Sequence, residues 1–305
     1  MMRISIHPGN LFADYGIDEG FRLLHENGVE AIQFGMGALM MSAKTVRENG
    51  PSVMDGSIEE ILAFARPYKD AAKKHGVAIS QVHAPYPSWV SEREDINARM
   101  PGILEKSVAV AEYMESRHIV VHPPFPALTT ENKTAEEEWE LAKALYAPLI
   151  PVLKRHKVVC LLENMFSRGA EGIRYAAVCS DFNQAAEWID RLNALAGEEC
   201  FAFCFDTGHC YLARQNIYRA VHLMGHRLQA LHIQDNDGHL DMHVAPYTGY
   251  IPWESFLLAL REVGYTGDLN FEAPKAINNY PKEMSDICIR MLTRTGEYFR
   301  KQLQA

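Results

Sequence analysis

Eight short runs rich in Val, Ile and Phe recur along the chain: Arg3 to His7, Glu30 to Phe34, Val77 to His83, His118 to His122, Val158 to Glu163, Phe201 to Asp206, Leu228 to His232 and Asp268 to Glu272. Longer stretches of helical period separate them, among them Ile58 to Lys74, Ala98 to Ser116, Ala135 to Arg155, Phe182 to Leu195 and Trp253 to Val263. Strand-length runs alternating with amphipathic helices are the pattern of a parallel α/β fold, because parallel neighbours need a connection long enough to hold a helix. Helices lead into the next strand through short turns, such as Lys74-His-Gly-Val77. Eight such units predict a (β/α)8 barrel. No linker, low-complexity tract or change of composition interrupts the pattern, so residues 1–305 are expected to form one barrel domain. The longer βα connections, Gly35 to Ser57, Ala84 to Asp95 and Ile233 to Pro252, mark the face on which such barrels build active sites.

Charge and cysteine content narrow the class of partner. Lys and Arg total 30 against 39 for Asp and Glu, a formal charge of −9, which disfavours a long polyanion and hence nucleic acid. The six cysteines, at 160, 179, 200, 204, 210 and 288, form no CxxC pair and lack the density of a disulfide scaffold. Met1 leads directly into the first strand without the features of a secretory signal, and no apolar run is long enough to cross a bilayer. A cytoplasmic protein with reduced thiols is expected, with a small molecule as partner, no membrane attachment, and homo-oligomerisation left open.

Besides the first run, which ends on His7, six of the eight runs finish on a His, Asp or Glu and then break into a loop: His83, His122, Glu163, Asp206, His232 and Glu272. The C-terminal strand ends of a closed barrel converge on one rim, so these side chains would meet there. Crowded acids and imidazoles repel or desolvate one another unless something cationic sits between them, and a divalent metal is the economical candidate. Carboxylate oxygens with imidazole nitrogen suit Mn²⁺, Co²⁺, Mg²⁺ or Zn²⁺, and no suitably placed cysteine suggests a thiolate site. Two local pairs fall on the same rim: Asp206-Thr-Gly-His209, and Asp241-Met-His243 in the loop after His232.

The ordered succession Val82-His-Ala-Pro-Tyr86, Val121-His-Pro123, Leu162-Glu-Asn164, Phe205-Asp-Thr-Gly-His209, Leu231-His-Ile-Gln-Asp235, Asp241-Met-His243, Gly249-Tyr-Ile-Pro-Trp253 and Asn270-Phe-Glu-Ala-Pro274 resembles the xylose-isomerase-like barrel superfamily. That superfamily includes sugar and sugar-phosphate isomerases and epimerases and the endonuclease IV group of DNA repair enzymes. Resemblance to the epimerases implies one metal held by Glu163, Asp206, His232 and Glu272. It further implies that Glu163 and Glu272 move protons and that His209 contacts substrate. Resemblance to endonuclease IV implies a trinuclear zinc site using the same four residues with His83, His122, His209, Asp241 and His243. The negative charge and the Gly-x-Ile-Pro-Trp ending of the loop favour the sugar branch. Free-ketose 3-epimerases carry an Arg-Phe-Glu element after the first glutamate and an Arg after the metal His. This chain has Phe166-Ser-Arg-Gly169 and the Asp241-Met-His243 pair instead, so a free ketohexose is not the expected substrate.

The expectation is therefore a metal-dependent isomerase or epimerase of a sugar, sugar phosphate or keto-sugar, working through an enediolate. Glu163 and Glu272, from non-adjacent strands, would remove and return the proton. His83, His122, His209, Asp241 and His243 are expected to bind substrate or further metal. The alternatives are trinuclear phosphodiester hydrolysis, sugar dehydration or elimination, and a non-enzymatic sugar-binding barrel. Tyr86, Trp89 and Tyr250 in rim loops are candidates to stack on a sugar. His25, His75, His118, His156, His222 and His226 fall away from the rim, in surface or capping positions.

Overall fold

The computed structural model describes residues 2–124, 134–169 and 172–304. The strands β1 (Ile4–Ile6), β2 (Ala31–Gly35), β3 (Ala78–His83), β4 (His118–Val120), β5 (Val159–Glu163), β6 (Phe201–Asp206), β7 (Leu228–His232) and β8 (Leu269–Phe271) are all parallel. They hydrogen-bond in the order β8-β1-β2-β3-β4-β5-β6-β7. At the seam between β7 and β8, Ile233 N–H donates to the carbonyl of Asn270 at 2.8 Å. The result is a nearly closed barrel with helices between the strands, as the alternation of runs predicts.

Strand periodicity explains why the polar residues collect at one end. Successive side chains point to opposite faces. One row of each strand packs outward against the helices: Ile4 and Ile6, Ile32 and Phe34, Ile119 and Val121, Cys160 and Leu162, Phe201, Phe203 and Phe205, Leu269 and Phe271 all join the main hydrophobic cluster. Full burial of each such Phe or Leu stabilises by roughly 1.5–3 kcal/mol. The other row fills the barrel. Val120, Val159, Leu161, Ala202, Cys204 and Ala230 form a separate small apolar cluster on the side of β4 to β7. Across the barrel the interior is polar: Ser5, Gln33, Ser80, Gln81 and Asn270 are buried and mutually hydrogen-bonded. Continuing the inward row by two residues reaches His7 from Ser5, His83 from Gln81, His122 from Val120, Glu163 from Leu161, Asp206 from Cys204, His232 from Ala230 and Glu272 from Asn270.

Several boundaries differ from expectation. His122 lies two residues past the end of β4, and His7 and Glu272 one residue past β1 and β8, so these side chains sit on the rim and not within the ladder. The helix expected over Ala135 to Arg155 is interrupted: Ala135–Tyr146 passes through a 3₁₀ turn, Ala147–Leu149, into Ile150–His156. Pro148 and Pro151 supply no backbone N–H there, which removes the bonds a continuous helix needs. The helix expected over Ala98 to Ser116 runs instead over Glu94–Tyr113. The connection Gly35 to Ser57 contains two short helices, Met36–Leu39 and Ala43–Arg47. Helix Ile58–His75 begins and ends as its sequence dictates: Ser57 and Glu60 form a reciprocal capping box, and Gly76 closes it at φ 69°. Among the described residues no helix is long and apolar enough to cross a membrane.

Candidate metal centre

Four ligand-type residues meet at the rim with Glu163, Asp206, His232 and Glu272 each offering an atom within 4.8 Å of the others. His232 Nδ1 stands between the two glutamates, 3.1 Å from Glu163 Oε1 and 3.3 Å from Glu272 Oε2. Three further groups adjoin. His83, His122 and Glu163 form one, His83, His232 and Glu272 a second, and His209, Asp241 and His243 the third. Glu163 belongs to two groups because its oxygens face different ways. Oε1 faces His232 and His209, the latter at 3.3 Å, while Oε2 lies 3.1 Å from His122 Nε2 and 3.7 Å from His83 Nε2.

The imidazoles are oriented by backbone carbonyls. Nδ1–H donates to the carbonyl of Ala84 from His83 (2.8 Å), to that of Asn164 from His209 (3.0 Å), and to that of Glu272 from His243 (2.9 Å). A carbonyl can only accept, so in each neutral ring the free lone pair sits on Nε2, the atom turned toward the neighbouring ligands. Nε2 of His243 is 3.0 Å from Asp241 Oδ2, and Nε2 of His209 is 3.8 Å from Asp241 Oδ1. Such hydrogen bonds behind a ring fix its tautomer and direction, as around bound metals.

Buried polar side chains hold the carboxylates. Gln33 Nε2–H donates to Glu272 Oε1 at 2.7 Å, and the oxygen of the same amide accepts from Asn270 at 2.7 Å. Asn164 bonds both the N–H and the carbonyl of Asp206 at 2.9 Å, locking the ends of β5 and β6 together. Asp206 caps the helix Thr207–Leu212: its Oδ1 accepts His209 N–H at 2.6 Å, which leaves Oδ2 free. The loop after β7 is folded by Asp235. Its Oδ1 accepts Asn236 N–H (2.8 Å) and Ile251 N–H (3.2 Å), and its Oδ2 accepts the Trp253 indole N–H (3.0 Å). Gly249 passes so close that a Cβ would lie 2.3 Å from the Asn236 carbonyl. This explains the Gly-x-Ile-Pro-Trp segment: it closes the loop that carries Asp241 and His243.

The residues fit a divalent cation. Among the buried side-chain atoms without any hydrogen-bond partner are Asp206 Oδ2 and both ring nitrogens of His232, in the four-residue cluster, and Glu163 Oε2, which faces His83 and His122. Orphaned polar atoms at such depth cost free energy unless something binds them. The electrostatics agree. Burial, reinforced by the charge of Glu163, pushes Asp206 upward. Burial also works against charge on His243, but Asp241 and Glu272 outweigh it and raise the ring to about 9. Burial acts on Glu272 in the opposite sense, yet His232 and His243 hold it low. Three carboxylates converge here with only imidazoles to balance them, an environment that attracts positive charge. Oxygen and nitrogen donors without thiolate are the set that Mn²⁺, Co²⁺, Mg²⁺ and Zn²⁺ share.

Above the cluster opens a cavity of about 440 Å³, in the range of small-molecule sites. Tyr86, Trp89, Met165 and Phe166 give it apolar walls, and Arg47 is its one Lys or Arg among the described residues. Tyr250, a candidate for stacking, is instead 72% exposed and does not line it. The loop simply places that ring on the solvent side. His75, His156 and His222 pair with surface acids as expected, and His118 bonds Gln229 at the opposite end of the barrel. Sequence reasoning gave no role to Arg47, Gln33, Asn164, Gln234 or Asp235. Asn164 directly follows Glu163, and Gln33 is a polar residue on the inward row of an otherwise apolar strand; those were the available signals.

A family model described as the xylose isomerase-like TIM barrel matches residues 21–291. The uncharacterized protein y4fM of Sinorhizobium fredii is 33% identical over 84 residues, which is 28% of this chain and 27% of that protein. The match thus spans about a quarter of that relative's length. Among solved structures, a D-tagatose 3-epimerase-like protein is similar with a TM-score of 0.68 at 17% identity, over 99% of this chain and 97% of that one. For 3-keto-D-glucoside 4-epimerase from E. coli the values are 0.65 and 17%, over 96% and 100%. For the IOLI protein with a zinc atom they are 0.67 and 16%, over 98% of each chain. At these identities the likeness is one of fold.

Proposed function

Because the chain belongs to the xylose isomerase-like TIM barrel family, we propose that it is a divalent-metal-dependent isomerase or epimerase of a sugar, sugar phosphate or keto-sugar. In this reading Glu163 and Glu272 transfer the proton, and Glu163, Asp206, His232 and Glu272 hold the metal. The observation that carries the reading is the placing of the two glutamates. They come from β5 and the end of β8, flank His232 Nδ1 at 3.1 and 3.3 Å, and lie at the floor of a cavity sized for a small molecule.

A divalent cation bound there supplies Lewis-acid stabilisation for the charge that develops on a carbonyl oxygen. The proton on the adjacent carbon is removed by one glutamate and a proton is returned by the other. Return to the same carbon from the other side gives the epimer; return to the neighbouring atom gives the isomer. Gln33 donates to Glu272 Oε1 and so fixes the carboxylate with Oε2 turned toward His232 and the cavity floor. Tyr86 and Trp89 would cover a sugar face and exclude water. The 3-epimerase-like protein and the 4-epimerase among the similar structures support sugar chemistry as the class.

The test is proton exchange. Keto-sugars, keto-acids and their phosphates are incubated with the enzyme and Mn²⁺, Co²⁺ or Zn²⁺ in D₂O. Deuterium at the carbon next to the carbonyl supports the reading; a complete screen without exchange, from protein that binds metal, removes it.

One observation favours a second reading. The nine ligand-type residues form four overlapping groups, two of them sharing Glu163 and two sharing His83, an arrangement able to hold more than one cation, as phosphodiester hydrolysis uses. Against it stand the bounded cavity, with one Lys or Arg among its described lining residues, and the formal charge of −9.

A further inference from the structure

Gln234 lies two residues beyond β7, fully buried, and its amide is spent entirely on site residues. Its Nε2 hydrogens go to Asp206 Oδ1 at 3.3 Å and Asp241 Oδ1 at 3.0 Å, and its Oε1 accepts His243 N–H at 3.2 Å. The backbone beneath is tied to Thr207, whose hydroxyl bonds the carbonyl of Gln234 at 2.7 Å and lies 3.0 Å from its N–H. The side chain crosses the helix Thr207–Leu212 over Gly208, where a Cβ would stand 2.2 Å from Gln234 Cδ. Glycine in Asp206-Thr-Gly-His209 is thus required by this amide, and not by backbone conformation.

We infer that Gln234 is a positioning residue: its amide ties the loop group of His209, Asp241 and His243 to the strand-end group around Asp206 and sets the geometry with which that loop group meets a cation. This rests on the metal-binding reading above. The coupling is lopsided. Asp206 Oδ1 keeps the His209 N–H at 2.6 Å whatever Gln234 does. Asp241 Oδ1 has no other hydrogen-bond donor among the described residues, and His243 N–H has no other acceptor. Removing the amide therefore releases one oxygen of Asp241 and the backbone of His243, leaves the ring of His243 on Glu272 and Asp241, and barely touches the four-residue cluster. Hydrogen bonds behind metal ligands are worth about 10- to 100-fold in metal affinity, so the loss should fall on one site alone.

The experiment titrates metal-free protein with Zn²⁺ alone against a chromophoric chelator, with far-ultraviolet circular dichroism to confirm folding. His243→Ala identifies the loop site as the one it abolishes. Gln234→Met keeps the volume and removes the amide; Gly208→Ala keeps Gln234 and displaces its amide with a single methyl group. Both are expected to weaken that site about 10- to 100-fold while the remaining Zn²⁺ binding stays within about threefold. Loss of all sites together, unchanged affinity of the loop site in both variants, or no site removed by His243→Ala would overturn the inference. Wild-type protein that binds no Zn²⁺ would sink the metal reading itself, a distinguishable failure.

Discussion

Replacing Asp206 by Asn separates the metal-binding role of the rim from its structural role. Oδ1 of Asp206 already has two protein donors, His209 N–H and Gln234 Nε2–H, and the Asn oxygen can keep both. What changes is Oδ2, buried without a partner and next to two glutamates. In metal-free protein this carboxylate is pushed upward by burial and by Glu163, against the pull of His209, so neutralising it relieves a burial penalty larger than the attraction it gives up. Metal-free Asp206→Asn should melt at or above the wild-type temperature. The metal response should differ. At a hundredfold excess over Kd, a cation stabilises the wild type by about 2.7 kcal/mol. With about 2.1 cal/mol/K of unfolding entropy per residue, a 305-residue chain converts that into a rise in Tm of about 4 °C. A hundredfold weaker site in the variant leaves about 0.4 kcal/mol at the same concentration, under about 1 °C. The assay is differential scanning calorimetry of chelator-treated protein with and without Mn²⁺, alongside elemental analysis. An equal metal-induced shift in wild type and variant would refute Asp206 as a ligand, and a metal-free variant that melts well below wild type would refute the electrostatic argument.

Glu163→Gln and Glu272→Gln are expected to keep part of the metal content, since the amide oxygen still coordinates, but to lose deuterium exchange by at least about 100-fold because an amide cannot accept the proton; exchange at the wild-type rate in either variant makes that glutamate a ligand only. Asp235→Asn turns an amide donor toward one of the three N–H groups that Asp235 now accepts. A loss of about 1–3 kcal/mol, or about 2–5 °C in Tm, follows, and unchanged melting would show that the loop is held by other contacts. Arg47 lines the cavity and forms no ion pair with an acid among the described residues. Arg47→Met should raise KM about 10-fold or more for a phosphorylated or carboxylated substrate with little change in kcat; an equal effect on neutral substrates would assign Arg47 to packing. Duplex DNA with abasic sites should bind weakly and be cut slowly, given the chain's charge, and nicking at nanomolar enzyme would bring the phosphodiesterase reading forward.

The rim was legible in the sequence because barrel geometry turns a one-dimensional pattern into a three-dimensional one. A strand has period two, its inward row ends at the rim, and His83, Glu163, Asp206 and His232 each occupy the last residue of a strand on that row. Residues on loops were legible only where a short motif carried them, as with Asp241-Met-His243. What could not be read was anything that depends on two distant loops meeting. Gly208 and Gln234 explain each other, but only once the helix after β6 and the loop after β7 lie in contact. The antiparallel hairpin Phe166–Arg168 with Arg174–Ala176, which brings Phe166 against the His209 ring, is too short and polar to stand out by periodicity. The break in the Ala135 to Arg155 helix was written in Pro148 and Pro151, yet the apolar period runs across both and hid it.

Glu163 makes the number of bound cations and the reaction a single question. Its Oε1 faces the four-residue cluster and its Oε2 faces His83 and His122, at 3.1 Å from the latter. With positive charge on the Oε1 side alone, Oε2 stays available and the carboxylate can still take a proton from carbon. With positive charge on both sides its basicity falls, by the same electrostatics that let opposite charges hold a carboxylate low. Glu163 would then serve as a bridge and no longer as a base, and proton transfer would rest on Glu272, whose Oε1 is already occupied by Gln33. The two-glutamate mechanism therefore requires the group of His83 and His122 to bind substrate, leaving Glu163 free on that side. Substitution of His122 by Ala separates the cases. If His122 faces substrate, metal content of the four-residue cluster is retained and KM rises; if it is a ligand, one equivalent of metal is lost and the isomerase reading loses its second base.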